Sequence, residues 1–326
     1  MYAYRKGFVS RLSDKYDLTI YCTNTSFFPK NARVIECKDY QLFNLRFQIS
    51  PLTLIKDNNF YRVIVVGNLK CLSNLALMMF IPRYKLITWG FWATRGSFSN
   101  KVRAMLSRRA RANVLYAKSH LKPLLAFAPT AHFTVGVNTI DVTQNNIRQT
   151  SQSSIVFVGS LNARKKIDVL ISMFPKLKKL NLNIKLEIVG DGPCRESLQD
   201  LVYKLKIHDN VIFHGVNNDA EFLAKLYSRA IIEVSPGQAG LSVPMALGHA
   251  TPFATLCDSI SGGETESIIN NYNGFIAKNE LELRSFLEKL IINDDLIHLM
   301  KDNSLKYYKE NLTIAKMISG FEEAFT

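Results

Sequence analysis

Glycines and basic residues recur in the second half of the chain, each group directly after an apolar run. The run that ends at Val158 leads into Gly159-Ser-Leu161 and then into Arg164-Lys-Lys166. Glycines that expose main-chain N–H groups beside cations are typical of phosphate-binding loops, since both groups attract an anion. This spacing predicts chemistry on a phosphorylated ligand.

Four more loops of this kind follow in order, at Gly190-Asp-Gly-Pro193, His214-Gly215, Ser235-Pro-Gly-Gln-Ala-Gly-Leu241 and Gly262-Gly-Glu-Thr-Glu266. Any one of these loops alone is an ordinary turn. In a parallel sheet, however, the carboxyl ends of the strands lie at one edge, so successive loops collect there. The ordered series indicates that the second half holds the ligand.

The loop from Ser235 to Ser242 joins a strand to a helix. Its two glycines let the main chain approach a ligand, and N–H groups at a helix start carry partial positive charge. The alternative is a plain strand-to-helix turn. We predict that the main chain from Gln238 to Ser242 contacts a diphosphate, through Gln238, Ala239, Gly240, Leu241 and Ser242, and that Gly237 also lies in the donor-binding loop.

Length and charge set limits on the class of protein. The 326 residues, of which 47% are hydrophobic, suffice for two globular domains. The net charge of +14 arises in residues 1–141, which hold 21 Lys and Arg against 6 Asp and Glu, whereas residues 142–326 hold 20 against 21. Such an excess predicts attraction to anionic lipid, nucleic acid or a phosphorylated acceptor, or else a merely basic surface.

Cysteines and apolar runs bear on the compartment. The five cysteines lie far apart without a Cys-x-x-Cys pair, which indicates buried thiols in a reducing compartment. The longest apolar run, Leu75 to Ile81, is far shorter than the roughly 20 residues of a membrane-spanning helix. The start of the chain does not resemble a signal peptide. We expect a cytoplasmic protein, with at most a peripheral contact on the inner membrane face.

Strands alternate with helices throughout, which predicts an α/β fold of two Rossmann-like, doubly wound domains with a central cleft. In the first half, strands are predicted at Leu18–Cys22, Val34–Cys37, Arg62–Val66, Lys85–Thr88, Val114–Tyr116 and Phe133–Val135. In the second half, the pattern includes strand Ile155–Val158, helix Ile167–Leu180, strand Lys185–Val189 and strand Ile231–Val234.

The predicted domains are residues 1–141 for the acceptor, a polar linker over 142–153, and residues 154–308 for the donor. The final helix, over 309–326, has one apolar face. It packs either across the domain junction or on its own domain.

The second half resembles the donor-binding domain of glycosyltransferase family 4, the group 1 glycosyl transferases, over about residues 154–278. These enzymes have the two-domain architecture called GT-B. In the first half, Tyr4-Arg5 and Asn138-Thr-Ile-Asp141 resemble the family's early Tyr-Arg and the end of its first domain. The resemblance implies a hexosyltransferase that moves a sugar from a nucleoside diphosphate to a glycan or lipid-linked acceptor, with retention, in cell-surface polysaccharide biosynthesis.

On this resemblance, Lys165 falls on the family's phosphate-binding lysine and Ser160 replaces its arginine. Breaking the bond between sugar and diphosphate leaves negative charge, which a lysine can stabilise. A solvated surface lysine is the alternative for Lys165, and it is the favoured interpretation for Arg164 and Lys166. The donor-binding residues thus implied are Gly159, Ser160, Arg164, Lys165, Gly190 and His214, together with the loop residues 237–242.

The sequence departs from the family pattern at three places. Two glutamates usual in the family are replaced by Gly237 and Met245, so nucleotide recognition must be arranged differently. Glu266 is the remaining acid, predicted to be catalytic with Lys165 or else to cap the turn that follows it. The sequence also begins almost inside the family's first helix, so the first domain is expected to lack its first strand.

Acceptor contacts are expected from Trp89, Trp92 and Arg95, which follow a predicted strand of the first half. The basic segment after them, Lys101 to Arg111, has the composition of a helix that rests on an anionic membrane. Packing of its apolar side in the core is the equal alternative. No metal or other cofactor is expected, because the sequence has no Asp-x-Asp.

Two other functions remain open. A nucleotide-sugar epimerase would share the architecture, but it needs an acid and base pair, and acids are scarce in the first half. A degenerate GT-B protein would instead act as a basic module that binds membrane or nucleic acid. Aromatic residues are not interleaved with the basic run at stacking intervals, so nucleic acid is not an expected partner.

Overall fold

The computed structural model describes residues 5–23, 31–57, 59–93, 97–142 and 153–326. The chain forms two compact units, one of Met1–Asp141 with Thr313–Thr326 and the other of Val142–Leu312. The predicted linker lies outside the described residues over 143–152. No helix in the described ranges is long and apolar enough to span a bilayer.

The first unit is an α/β unit with three separate sheets among its described residues. Strands β5-β6-β7-β8 form a parallel sheet in that order, β1 and β2 form a parallel pair, and β3 and β4 form an antiparallel hairpin. Its elements are α1 (Lys6–Ser13), β1 (Thr19–Cys22), β2 (Arg33–Glu36), β3 (Asp39–Leu42), β4 (Leu45–Gln48), β5 (Val63–Val66), α2 (Leu72–Phe80), β6 (Leu86–Phe91), α3 (Ser97–Arg108), β7 (Ala112–Leu115), α4 (Leu121–Leu125), β8 (Phe133–Val135) and α11 (Ile314–Phe325).

The four-stranded sheet carries the core of this unit. Every residue of β6 and β7 is buried, as expected for parallel strands covered on both faces. A cavity of about 240 Å³ lies between β1 and β5 and is lined by residues that include Ile20, Val65 and Trp89. In the described residues β1 pairs with β2 alone, so the strands predicted in the first half do not form one continuous sheet.

The last helix, α11, belongs to the first unit and not to the domain that precedes it in sequence. Phe321 packs against Phe8 and Trp89, with ring centroids 5.0 and 5.2 Å apart. The Thr134 hydroxyl donates to the Gly320 carbonyl at 2.7 Å. The sequence predicts that this helix starts at residue 309, but it begins at Ile314. Residues 309–311 belong to the preceding helix. The alternative that it packs on its own domain is therefore wrong.

The two ends of the first unit are joined by the residues that carried its resemblance. Arg5 donates to Asn138 Oδ1 at 2.7 Å, and its guanidinium lies 4.7 Å from the centre of the Trp89 ring. A Cβ on Gly7 would lie 2.9 Å from Asp141 side-chain atoms. The early Arg and the closing Asn-x-Ile-Asp thus form one structural contact.

The second unit is a six-stranded, all-parallel sheet in the order β11-β10-β9-β12-β13-β14. Its elements are β9 (Ser154–Val158), α5 (Ile167–Leu180), β10 (Lys185–Val189), α6 (Arg195–Lys204), β11 (Val211–Gly215), α7 (Ala220–Ser228), β12 (Ala230–Val234), α8 (Ser242–Gly248), β13 (Phe253–Leu256), β14 (Gly274–Ala277), α9 (Glu280–Ile291) and α10 (Asp294–Asn311).

The strand order reverses direction between β9 and β12. The chain builds outward from β9 to β11, returns across the sheet, and builds outward again from β12 to β14. At such a switch point the loops after the two central strands diverge and leave a crevice at their carboxyl ends, which is where ligands bind in open α/β sheets. The sheet therefore places the loops after Val158 and Val234 side by side.

Candidate functional site

Lys165 lies in the turn that follows β9. A 3-10 turn covers Ala163–Lys165, and Lys166 then adopts a left-handed conformation with φ of 51°. The Lys165 side chain is only 9% exposed. Its Cε and Nζ atoms lie 3.5 Å from the point where a Cβ on Gly159 would stand, which is an ordinary contact distance. The ammonium group is thus held against the end of β9.

The loop after β12 packs directly on this turn. Gly237 N–H donates to the Lys165 carbonyl at 3.0 Å. A Cβ on Gly237 would lie 2.1 Å from the Arg164 carbonyl oxygen, so no larger residue fits. The close approach of the two loops therefore requires glycine at this position. A glutamate there would push the two loops apart.

The same loop is fixed on its other side by the segment after β13. Ala239 N–H donates to the Ile260 carbonyl at 3.0 Å, and Ile260 N–H donates to the Gly237 carbonyl at 2.9 Å. The N–H groups of Gly237 and Ala239 are therefore bonded within the protein, which corrects the prediction that the Ala239 main chain contacts a diphosphate. Ala239 is also fully buried, which agrees with the bonding of its N–H group inside the protein.

Other donors of the loop are open. Among the described residues, no protein acceptor is recorded for the N–H groups of Gln238, Gly240, Leu241 and Ser242. The Ser242 hydroxyl, at the start of α8, is also buried without a partner within the described ranges. A buried hydroxyl without a partner is costly, and N–H groups without a protein acceptor can donate to a ligand, so this set of donors suits an anion.

Charged groups surround Lys165. Burial lowers the pKa of Lys165, and the neighbouring Arg164 lowers it further, whereas Glu233 and Glu264 partly oppose the shift. Glu264 is 8% exposed, and its Oε2 accepts from Ser261 Oγ at 3.0 Å and from Gly262 N–H at 2.7 Å. The acid of this loop that acts on Lys165 is thus Glu264.

The sequence predicts Glu266 as the catalytic acid, but its side chain is exposed. Burial raises the pKa of Tyr307, and the charge of the nearby Glu266 raises it as well. The 3-10 turn begins at Glu264, so Glu266 does not cap a turn that starts after it. Thr265 is the one residue between Glu264 and Glu266. The turn leaves the side chain of Glu264 buried and that of Glu266 exposed.

The loops after β10 and β11 complete the edge of the sheet. A Cβ on Gly190 would lie 1.8 Å from the Gly159 carbonyl oxygen, and its φ of 136° is one that favours glycine. The ring of His214 is hydrogen-bonded to Glu187 of β10, with its Nε2 2.9 Å from Glu187 Oε2.

Glu187 also accepts two hydrogen bonds from Arg229, at 2.7 and 2.6 Å. Burial alone would raise the pKa of Glu187, but the bonds and charge of Arg229 and the bond to His214 outweigh it and lower that pKa overall. His214 therefore takes part in a buried ion-pair network, which is the packing alternative to a ligand contact.

The remaining basic residues of the turn are at the surface. Arg164 and Ser160 are exposed, and the Ser160 hydroxyl accepts from Asn162 Nδ2 at 2.7 Å. Lys166 forms an ion pair with Asp258 at 2.8 Å, with its side chain 40% exposed. Lys165 is thus the buried cation of the three.

Acceptor residues predicted in the first unit fall in different environments. Trp89 is 5% exposed and packs in the core with Phe8 and Phe321, so the structure makes it a core residue. Trp92 is 38% exposed, with the Arg103 guanidinium 5.0 Å above its ring. Arg95 lies outside the described residues.

One buried acid of the second unit, Glu233, was not singled out from the sequence. Glu233 stands inside the apolar strand β12, where it is fully buried. A single acid within an apolar strand was the available signal. Among the residues that the structure describes, no three His, Cys, Asp or Glu side chains cluster as a metal site would require.

The family model described as "Glycosyl transferases group 1" matches residues 141–309, just over half of the chain. An uncharacterized glycosyltransferase of Methanocaldococcus jannaschii is 37% identical over 130 residues, which are 39% of this chain and 32% of that protein.

Two solved structures illustrate the similarity of fold. WaaG, a glycosyltransferase involved in lipopolysaccharide biosynthesis, superposes with a TM-score of 0.67 at 17% identity, over 99% of this chain and 95% of that one. Anabaena HepE in complex with UDP superposes with a TM-score of 0.69 at 15% identity, over 98% and 93%. The chain spans about a third to a half of the length of the curated relatives it matches.

Proposed function

Because the chain belongs to the family of group 1 glycosyl transferases, we propose that it is a glycosyltransferase that moves a hexose from a nucleoside diphosphate to a glycan or lipid-linked acceptor. The observation that carries this proposal is the buried Lys165, held beside Gly159 and bonded through its carbonyl to the loop after β12. A cation fixed at the switch point of a parallel sheet is placed to bind the diphosphate of a donor.

The open donors of the second loop support the same ligand. Lys165 supplies a full positive charge, and the N–H groups of Gly240, Leu241 and Ser242, which have no acceptor among the described residues, can supply directed hydrogen bonds. Together they match a diphosphate, which carries several acceptor oxygens. The complex of HepE with UDP makes a uridine nucleotide the first donor to test.

The chemistry follows from where charge develops. The bond between the anomeric carbon and the diphosphate oxygen breaks, and Lys165 with the loop N–H groups stabilises the charge left on that oxygen. The acceptor hydroxyl forms the new bond, and its proton passes to the departing phosphate. Attack on the face from which the phosphate leaves retains the anomeric configuration. This scheme places no metal ion or other cofactor in the reaction.

A calorimetric titration with UDP, GDP and ADP tests the proposal. We expect saturable binding of one nucleotide, because a preorganised cation and fixed donors cost little to arrange on binding. Absence of binding of all three by a folded sample would contradict the donor site. Transfer is then assayed with the matching nucleotide sugar and a panel of lipid-linked and free glycans, with anomeric NMR of the product to test retention.

We also propose that the first unit makes peripheral contact with an anionic membrane, where a lipid-linked acceptor for cell-surface polysaccharide would lie. Helix α3 exposes Phe98 and Met105, at 79% and 56%, beside an exposed Lys101. Leu106, the next residue around the helix after Met105, is 3% exposed and packs in the core. Cations beside exposed apolar side chains favour the surface of an anionic bilayer.

Co-sedimentation with vesicles measures this contact. We expect binding to vesicles that contain phosphatidylglycerol, weaker binding to pure phosphatidylcholine, and loss of binding in the double variant Phe98→Asp, Met105→Asp. The matched control is Leu281→Asp, which alters a side chain 64% exposed on the second unit. Equal binding to both vesicle types would contradict the proposal.

A further inference from the structure

Arg103, on helix α3 of the first unit, is a buried cation without an acidic partner. The residue is only 6% exposed. Its Nη1 donates to Ser99 Oγ, and its Nε is buried without a partner in the described part of the chain. Among the described residues, no carboxylate forms an ion pair with it. Burial lowers the pKa of Arg103, and no neighbouring acid opposes this shift.

The surrounding sequence offers no acid that could neutralise this charge. Residues 58–140, which form the whole sheet from β5 to β8, contain twelve Lys and Arg but no Asp or Glu. Acids from the two ends of the first unit pair elsewhere, Asp141 with Arg11 and Glu322 with Lys15. The excess positive charge of the first unit is therefore not balanced around this sheet.

A buried cation in such a place is costly. Arginine stays protonated in proteins, so it cannot escape the cost by losing its proton. Burial of a charge is unfavourable unless a partner of opposite sign compensates it. An apolar side chain would pack on this face of α3 without that cost, as the neighbouring Ala104 does at 1% exposure. The charge of Arg103 therefore indicates an anion that binds here.

The guanidinium group lies at the edge of the sheet where ligands bind in parallel sheets. Trp92 directly follows β6, and the centre of its ring is 5.0 Å from the Arg103 guanidinium. The ends of β6 and β7 are neighbours, since Phe91 pairs with Leu115. Trp92 is 38% exposed, so the stacked pair borders solvent.

The turn after β7 brings further basic groups to this edge. It covers Lys118–His120. The Ala93 N–H donates to His120 Nδ1 at 3.3 Å, which holds the imidazole against the segment that follows Trp92. Lys118, on the same turn, is exposed. Several basic groups suit a ligand with many acceptor oxygens and more than one negative charge, which favours phosphate over a single carboxylate.

One edge of the Arg103 guanidinium is open to such a ligand. Nη1 is engaged by Ser99, whereas the edge formed by Nε and Nη2 has no acceptor among the described residues. Arg229 of the second unit uses the corresponding edge to donate to both oxygens of Glu187, at 2.7 and 2.6 Å. The same two donors of Arg103 can therefore bind two oxygens of a phosphate in parallel.

We propose that Arg103 and Trp92 form a binding site for a phosphate group of the acceptor, with the guanidinium as the charged contact and the indole ring as the surface that orients it. This inference rests on the proposed function in taking the ligand to be the acceptor of transfer. The binding of phosphate itself does not depend on that function.

Intrinsic fluorescence tests the site, because the chain has two tryptophans and Trp89 is in the core. The titrations are made in the Lys165→Met background, which removes the cation of the proposed donor site. We expect a saturable change with inorganic pyrophosphate, glucose 1-phosphate and geranyl diphosphate, and none with geraniol. Trp92→Phe is expected to abolish the signal. Tightest binding of geranyl diphosphate would assign the phosphate to a lipid carrier, and tightest binding of glucose 1-phosphate to a phosphorylated glycan.

Arg103→Met is expected to weaken binding of the best phosphate probe by about 10- to 100-fold, the usual effect of losing hydrogen bonds from a charged group. Arg108→Met is the matched control, since Arg108 is an exposed arginine of the same helix and its loss changes the net charge equally. We expect no more than a twofold effect there, about the size of an exposed charge contribution. Pyrophosphate should also raise the Tm of the wild type and leave that of Arg103→Met unchanged.

Equal affinities of the wild type and Arg103→Met for phosphate would overturn the inference. A response to geraniol as large as that to geranyl diphosphate would do so as well, as would tighter binding of glucuronate than of every phosphate probe. If Arg103→Met does not fold, Arg103→Lys replaces it. That variant retains the charge but lacks the planar group, so we expect a loss of several-fold. Phosphate binding at Arg103 without any nucleotide binding by the wild type would contradict the proposed function and leave this site intact.

Discussion

Replacing Lys165 with methionine is expected to weaken binding of the nucleoside diphosphate by about 10- to 100-fold, the usual effect of losing a hydrogen bond to a charged group. The transfer rate should fall further, by about 100- to 1,000-fold, because charge on the leaving oxygen is greatest in the transition state. Methionine retains the length and apolar stem of lysine, so the change isolates the charge. Calorimetry and a transfer assay measure the two effects.

Lys166→Met is the matched control for this experiment. Lys166 is the adjacent residue, carries the same charge, and is engaged by Asp258 at the surface. We expect its replacement to change nucleotide affinity by no more than about twofold, because an exposed ion pair contributes little. Equal losses in the two variants would mean that the site attracts its ligand through general positive charge and that Lys165 has no special role.

The stability of Lys165→Met should change in the opposite direction from its affinity. Burial lowers the pKa of Lys165, so its charged form is less stable in the folded chain than in the unfolded chain. This cost is present in full below the folded pKa and is lost as the pH rises from the folded pKa to the higher unfolded pKa. At pH 7 the variant is therefore expected to have a higher Tm than the wild type, while it binds nucleotide less well. Such a trade-off is typical of residues retained for function.

Gly237→Ala is expected to destabilise the second unit by about 2–3 kcal/mol, as overpacking of a close contact does. A Cβ at this position would lie 2.1 Å from the Arg164 carbonyl oxygen and 2.8 Å from the Lys166 side chain. One of these contacts is with the main chain, so a side-chain rotation cannot relieve it. For a unit of this size we expect Tm to fall by about 5–10 °C in thermal unfolding.

The same substitution should also reduce nucleotide affinity, because it separates the Lys165 turn from the loop bonded to it. Gly240→Ala provides the control: a Cβ there meets nothing within 4 Å, and its φ is not one that only glycine adopts readily. We expect the stability of Gly240→Ala to stay within about 0.5 kcal/mol of the wild type. If both alanine variants were equally stable, the proposed clamp between the two loops would be incorrect.

Much of the fold could be predicted from the sequence, especially in the second unit. Helix α5 and strand β10 have the predicted bounds, Ile167–Leu180 and Lys185–Val189. These elements bury strongly apolar residues, so their periodicity is set by the core they pack against. The prediction ended the unit at residue 308, whereas α10 continues to Asn311, since a helix end is the least certain feature of a periodic pattern.

The hairpin of β3 and β4 was not predicted. All of β3 is exposed, and the turn between the strands places Phe43 in a left-handed conformation with φ of 53° and contains no glycine. Neither a buried face nor a glycine therefore signalled these strands, and Asn44 was the only turn-type residue between them. Their pairing, such as Tyr40 with Phe47, depends on register between segments and not on either segment alone.

The candidate site, like the fold, could be predicted from the sequence only in part. Its order of glycines and cations was readable, because each loop follows a strand and local chemistry limits which residues fit there. Two properties were not readable. The sequence did not show which acid would approach Lys165, and it did not show that the Gly237 and Ala239 N–H groups are bonded within the protein. Both depend on contacts between segments up to about a hundred residues apart.

The sequence by itself determined the class of this protein: alternating strands and helices, a basic first half, and phosphate-type loops in a fixed order. These are properties of residue type and local spacing. Tertiary structure alone decided that α11 joins the first unit, that Trp89 is a core residue, and that Glu233 is fully buried. The physical reason is that burial and charge coupling depend on which segments meet when the sheets form, and a one-dimensional pattern does not specify those meetings.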